Sequence, residues 1–207
     1  PVSLSSEVAQ LLPVVVLGPQ SVDLVLDGPE VRRRFLNWGV FHVKHDAEFA
    51  RLWSAGQRCL RQRNELLRQP VPDPSALAAW SDEFIRNSEA IDDLRQRHVD
   101  RLTTRFDDNC REISRLTDVS LVYRRGWSGE LRDALAADYD GDRKRGYTQK
   151  GFQRADVKVL VSGVDASTSC SRGELKVLAW TLMISQGDLL ADGPVYLVDD
   201  LAAELDD

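Results

Sequence analysis

Residues 169–206 read SCSRGELKVLAWTLMISQGDLLADGPVYLVDDLAAELD, and the fold turns on them. Leu175, Leu178, Leu182 and Leu189 recur at helical spacing, which predicts a helix over Ser171–Leu190 with those leucines on its inner side. The apolar run Pro194–Val198 predicts a short buried strand that delivers Asp199 and Asp200 at its C-terminal end. Ligands of open α/β sheets bind at that edge. The same pattern also describes a strand that simply ends in a solvated turn. The helix start is equally double-edged. Ser171-Arg172-Gly173-Glu174 places a hydroxyl and free backbone N–H groups at the positive end of a helix dipole, a site for an anion. A serine with a glutamate three residues on is also an ordinary capping box.

Upstream, the chain alternates in texture. LLPVVVLGPQSVDLVLDGP contains two β-branched runs, predicting strands near Leu12–Leu17 and Val22–Leu26, and Asp27-Gly28-Pro29 stops them. From Glu30 to Gln69 the pattern is helical, with Leu52, Cys59 and Leu66 in one register and Trp53, Leu60 and Leu67 in the next. The prolines of QPVPDPS force a loop. A second helix runs from Ser75 to about Arg115, with Leu77, Phe84 and Ile91 on one seam and Trp80 and Leu94 on the other. Two long helices and a short loop make an antiparallel hairpin. His98 and Asn87 continue those seams. His98 as a ligand or base stands against His98 as a polar residue that pins helix register, and no partner at metal-ligand spacing supports the first. Strands follow at Val119–Arg124 and Asp156–Val161, with a helix between them that ends near Gly141 or Gly146.

The 207 residues are 43% apolar and 29% charged, ordinary for a globular protein with a real core. The net charge of −6 excludes a general polyanion binder but is unevenly placed. Arg32 to Arg68 is rich in arginine, while the last sixteen residues carry six acids and no Lys or Arg. Cys59, Cys110 and Cys170 match neither a disulfide framework nor a zinc site, which suits a reducing, cytoplasmic setting. No apolar stretch approaches the ~20 residues of a membrane span. The chain opens on Pro1 and its single methionine is Met183, so an internal piece of a longer protein is expected.

The ordered combination of helix start, acid-tipped strand and trailing AAELD is more specific than its parts. Ser171-Arg172-Gly173-Glu174 resembles the signature motif of ABC-type ATPases, Val195–Asp200 their Walker B strand, and Ala203-Glu204-Leu205-Asp206 their D-loop. The variant SRGELK…YLVDDLAAELD is similar to the RecF family of bacterial recombination mediators. GPEVRRRFLNWGVFHVKH, LRQRNELLR and GFQRADVKVLVSG resemble further segments of that family, so the resemblance covers nearly the whole chain. It departs at Gly151-Phe152-Gln153-Arg154, where the family has Gly-Pro-His-Arg, at Gln20 for a usual Glu, and at Asn37 for a usual Asp. A P-loop, G-x-x-x-x-G-K-[ST], occurs nowhere in the 207 residues and is expected before residue 1.

The resemblance implies an α/β fold, a portion of an ABC-type ATPase head with an inserted helical hairpin lobe. It divides the chain into 1–29 (ATPase lobe), 30–116 (hairpin lobe) and 117–207 (the rest of the ATPase lobe). It implies ATP and Mg²⁺ as cofactors, with Asp199 at the metal and Asp200 polarising the attacking water. Ser171, Arg172, Gly173 and Glu174 contact nucleotide across an ATP-dependent homodimer, and Glu204 and Asp206 lie in the D-loop. The implied partners are duplex DNA, junctions of single and double strands, and RecR-type and RecO-type mediators that help load recombinase. No membrane is involved. The arginines Arg32, Arg33, Arg34, Arg58, Arg61 and Arg63, with Lys44, Arg51 and Arg68, form a candidate phosphate-contacting face or a solvated helix surface. The whole protein is then a weak DNA-stimulated ATPase, and this chain, lacking a P-loop, is inactive. Against this stand a receiver-type domain phosphorylated on Asp199 or Asp200, a metal nuclease, and a non-catalytic DNA-binding or helical scaffold without nucleotide binding. The hairpin argues against the receiver, and no obvious third carboxylate supports the nuclease.

Overall fold

The computed structural model describes residues 12–43, 47–113 and 116–199. Strand β1 (Val14–Leu17) leads through a 3₁₀ turn at Pro19–Val22 into α1 (Asp23–Leu26) and α2 (Pro29–Val43). Helix α3 (Ala47–Arg68) and α4 (Pro74–Ile113) follow, then β2 (Val119–Arg124), α5 (Leu131–Ala137) and α6 (Tyr139–Arg145). The chain continues through β3 (Asp156–Val161), β4 (Val164–Asp165), α7 (Ala166–Ser169), α8 (Arg172–Gly187) and β5 (Val195–Val198). Strands β1 and β5 pair in parallel, from Val14 opposite Val195 to Leu17 opposite Val198. A second sheet has the order β2-β3-β4, with β3 and β4 antiparallel.

The described residues fall into two compact units. One takes those of 1–46, 97–122 and 157–207, the other those of 47–96 and 123–156.

In the first unit, Val15 and Leu17 of β1 are buried, as are Leu36 and Val40 of α2, Leu102 and Phe106 of α4, and Leu175, Leu178 and Leu182 of α8. The α8 leucines lie on one side as their spacing requires. The helix ends at Gly187, short of the predicted Leu190. Asp188 is its C-cap, and Leu189 and Leu190 close tighter turns onto Gln186 and Gly187. Leu189 is half-buried.

Two expectations are corrected in this unit. Val22–Leu26 is not a strand. Pro19 starts the 3₁₀ turn, the Gly18 N–H donates to Ser21 Oγ at 3.0 Å, and the Asp27 N–H closes α1 on the Asp23 carbonyl at 2.8 Å. Leu24 and Val25 are adjacent and both buried. A strand would send them to opposite faces, whereas a helical turn turns both inward. The second correction concerns β5, which is exposed rather than buried. Its four side chains keep 37–53% of their surface. Among the described residues β1 is its one strand neighbour.

In the second unit, α3 buries Phe49, Leu52, Gly56, Cys59, Arg63 and Leu67, a three–four spacing that marks a single stripe. Helix α4 answers with Phe84, Asn87, Ile91 and Leu94. Phe152 fills the space between, with no exposed surface and ring centroids 5.2 Å from Trp53 and 5.9 Å from Phe84. Gly56 permits this approach, since a Cβ there would stand 3.1 Å from the Phe152 ring. Gly151, at φ +125°, aims Phe152 inward, and the Phe152 carbonyl accepts from Arg95 Nη1 at 2.7 Å.

Candidate functional site

Asp199 follows β5 directly, and its N–H donates to the Leu17 carbonyl at 2.9 Å. Parallel pairing therefore carries the acid to the end of β1, beside the Gly18-Pro19 turn. A Cβ on Gly18 would stand 3.4 Å from that of Asp199. The side chain is exposed and borders a cavity of about 590 Å³ shared with Gly18, Gln20, Arg34, Trp38 and Gln186. The described residues hold no cluster of three or more His, Cys, Asp or Glu able to hold a metal. A lone carboxylate at a strand end suits Mg²⁺, which takes one or two carboxylates and completes its shell with phosphate oxygens and water. Asp200, Glu204, Asp206 and Lys44 lie outside the described residues.

Ser171 is the N-cap of α8. Its N–H donates to Glu174 Oε2 at 2.7 Å, and its Oγ accepts from the Glu174 N–H at 3.4 Å. The capping box is thus formed, and these hydrogen bonds hold the Glu174 carboxyl below the usual range. The amides of Arg172 and Gly173, in the first turn, have no intrahelical acceptor. All four residues face solvent, and a Cβ on Gly173 would meet nothing within 4 Å. This helix start is therefore open to solvent. It does not meet Asp199 locally: α8 lines the Asp199 cavity with Met183 and Gln186. Met183 lies about 18 Å along the helix axis from Ser171.

The polar seam residues have internal partners. His98 is 5% exposed, and its Nε2 lies 3.1 Å from Gln186 Oε1. Gln186 Nε2 donates to the Phe35 carbonyl at 3.2 Å, which leaves Oε1 to accept from His98. Burial pushes the His98 pKa down to about 4, against the smaller opposing pull of Gln186. A Cβ on Gly39 would lie 2.3 Å from both Gln186 Oε1 and His98 Nε2, so the glycine admits this contact. Asn87 donates to the Glu83 carbonyl at 2.7 Å and to Glu83 Oε1 at 3.2 Å.

The candidate arginines divide sharply. Arg32 is buried, and its guanidinium is hydrogen-bonded to the Asp27 carbonyl. Arg33 is half-buried and engaged, and exposed Arg34 borders the Asp199 cavity. Arg63 is 2% exposed and pairs with fully buried Asp142 at 2.9 Å, with Thr148 Oγ1 and Ser81 Oγ completing its shell. The sequence carried a signal for this: Arg63 lies four residues after Cys59 and four before Leu67, on the buried stripe. Arg58 and Arg61 are exposed on α3.

The described residues have the mixed α/β fold of an ABC-type ATPase head, with an acid at the C-terminal end of a parallel strand and a solvent-facing Ser-Arg-Gly helix start. Two solved structures share that fold at 23% identity. One is the recombination mediator RecF with ATP, from the RecFOR pathway, at TM-score 0.89 over 97% of this chain and 58% of that one. The second is RecF with an ATP analogue, at TM-score 0.87 over 98% and 58%. By sequence, the DNA replication and repair protein RecF of Pseudomonas putida is 39% identical over 98% of the chain, and that of Pseudomonas aeruginosa likewise. The chain belongs to the RecF family. It spans about half the length of the curated relatives it matches, 56%. No protein-family model matches it.

Proposed function

We propose that the whole protein is a DNA-binding ABC-type ATPase of recombinational repair. In this reading it binds duplex DNA and gap junctions, dimerises with ATP and, with RecR-type and RecO-type partners, helps load recombinase. The observation that carries it is the pairing of an acid-tipped strand, β5 with Asp199, with the solvent-facing start of α8. Asp199 would hold Mg²⁺, and Asp200 would orient and polarise the attacking water. Ser171 and the Arg172 and Gly173 amides would meet the nucleotide of a second subunit, with Glu174 keeping the helix start capped. Glu204 and Asp206 would border that interface. Phosphoryl transfer asks chiefly for positioning and charge neutralisation, which these groups supply. Splitting the site between subunits makes nucleotide binding and dimerisation one coupled event. The family division into lobes at 1–29, 30–116 and 117–207 goes with this reading.

The completed capping box supports a second reading, a non-catalytic DNA-binding or helical scaffold without nucleotide binding. The two part on one experiment. Light scattering of the full-length protein should show a dimer with ATP and Mg²⁺ and a monomer without. Ser171→Arg should block the dimer while leaving the monomer folded. A mass indifferent to ATP would overturn the ATPase reading. This chain by itself should neither bind ATP tightly nor turn it over.

A further inference from the structure

Helix α3 carries an asymmetry that its core does not require. Its inner stripe is the buried column ending at Arg63 and Leu67. Its outer face presents Arg51, Arg58, Arg61 and Arg68, all exposed. At 100° per residue these four lie within one third of the helix circumference, and they span about 25 Å of its axis. None has a hydrogen bond or ion pair among the described residues. The one acid in that face is Glu65. Glu83, whose charge Arg58 feels, is already bonded to Arg86 and Asn87.

The stripe continues past the end of α3. Gly146, at φ +74°, ends α6 beside Arg68: a Cβ there would stand 3.0 Å from Arg68 Cγ. The last turn of α6 adds exposed Lys144 and Arg145. The C-terminal end of a helix normally carries the negative pole of the dipole, which would repel an anion at this junction. Here Arg143 donates to the Leu67, Gln69 and Pro70 carbonyls at 3.3, 2.6 and 3.0 Å, covering the α3 terminus with positive charge. The basic residues therefore continue from α3 onto the end of α6, interrupted by the one acid Glu65, on a chain whose net charge is −6.

We infer that this face of α3, extended by Lys144 and Arg145, binds the phosphate backbone of nucleic acid. Ser54 and Glu65 are the other exposed side chains between the α3 arginines, so that part of the stripe offers no apolar anchor of the kind protein interfaces centre on. Unpaired guanidiniums spaced along a rod match a phosphate chain, which needs charge rather than shape. The inference rests on the DNA-binding reading above and narrows it: Arg63 belongs to the interior, and Arg51, Arg68, Lys144 and Arg145 join Arg58 and Arg61.

The test uses the full-length protein and a duplex of about 30 base pairs with a single-stranded tail, read by fluorescence anisotropy across a salt series. Replacing Arg51, Arg58, Arg61 and Arg68 together by Gln should weaken binding about tenfold or more. The slope of log K against log salt should fall by about 3.6, about 0.9 per lost phosphate contact. Lys144→Gln/Arg145→Gln, on a separate helix, should lower the slope by about 2. All six side chains are exposed, so melting temperatures should hold. Unchanged slopes in both variants, with tight wild-type binding, would overturn the stripe and leave DNA binding itself standing. Loss of binding to polyglutamate but not to the duplex would assign the stripe to an acidic protein and overturn the nucleic-acid inference. A wild type that binds no DNA at low salt, with or without ATP, would overturn the underlying reading.

Discussion

Acidification from about pH 7.5 to about pH 5 should cost the fold about 2 kcal/mol through His98 alone. In the unfolded chain this imidazole titrates at its ordinary 6.5; in the folded chain burial holds it down to about 4. Between those values the unfolded state takes up a proton that the folded state refuses. The His98 contribution is therefore intact above 6.5 and is lost as the pH falls toward 4. Each unit within the window is worth about 1.4 kcal/mol, so the loss is about 2 kcal/mol at pH 5 and about 3 kcal/mol at pH 4. Burial explains the refusal: His98 is 5% exposed, and the hydrogen bond from Nε2 to Gln186 Oε1, which favours the charged ring, offsets only part of the cost of desolvating it. Urea unfolding of the chain at the two pH values, followed by far-UV circular dichroism, reads the difference. His98→Phe will lower stability at both, because it leaves Gln186 Oε1 unpaired, but it should remove most of the pH dependence. Wild-type stability equal at both pH values, or a His98→Phe variant as acid-sensitive as the wild type, would refute the reasoning. His42 and His45 are present in both proteins, so their effects cancel in the comparison.

Arg63→Met should destabilise the second unit by about 3–5 kcal/mol, because it leaves the Asp142 carboxylate buried without its cation. Adding Asp142→Asn should recover part of that loss, and a double-mutant cycle by urea unfolding measures the coupling. Gly151→Ala should cost about 2–4 kcal/mol, since φ is +125° and the new Cβ would stand 2.4 Å from the Phe84 ring. A melting temperature unchanged by Gly151→Ala would mean that Phe152 is not held as described.

Local chemistry made much of this protein legible in its sequence. The helix–loop–helix hairpin follows from a seven-residue recurrence and three prolines, and α4 starts within a residue of where those prolines end. Strands β2 and β3 run over the predicted residues, because alternation within six residues is a property of the segment itself. Ser171 and Glu174 cap α8 through contacts three residues apart, which any such sequence can make. What the sequence could not decide is what lies across from each side chain. Val22–Leu26 has strand-forming residues, yet Leu24 and Val25 are both buried, and packing overrides a β propensity worth about 1 kcal/mol. Arg63 and Arg58 look alike in an arginine-rich stretch, but only Arg63 meets Asp142, 79 residues away. His98 finds Gln186 across 88 residues, through a gap that exists because residue 39 is glycine. Spacing sorts residues onto faces of their own helix; tertiary packing decides which charge is buried, which is paired, and which is left for a partner.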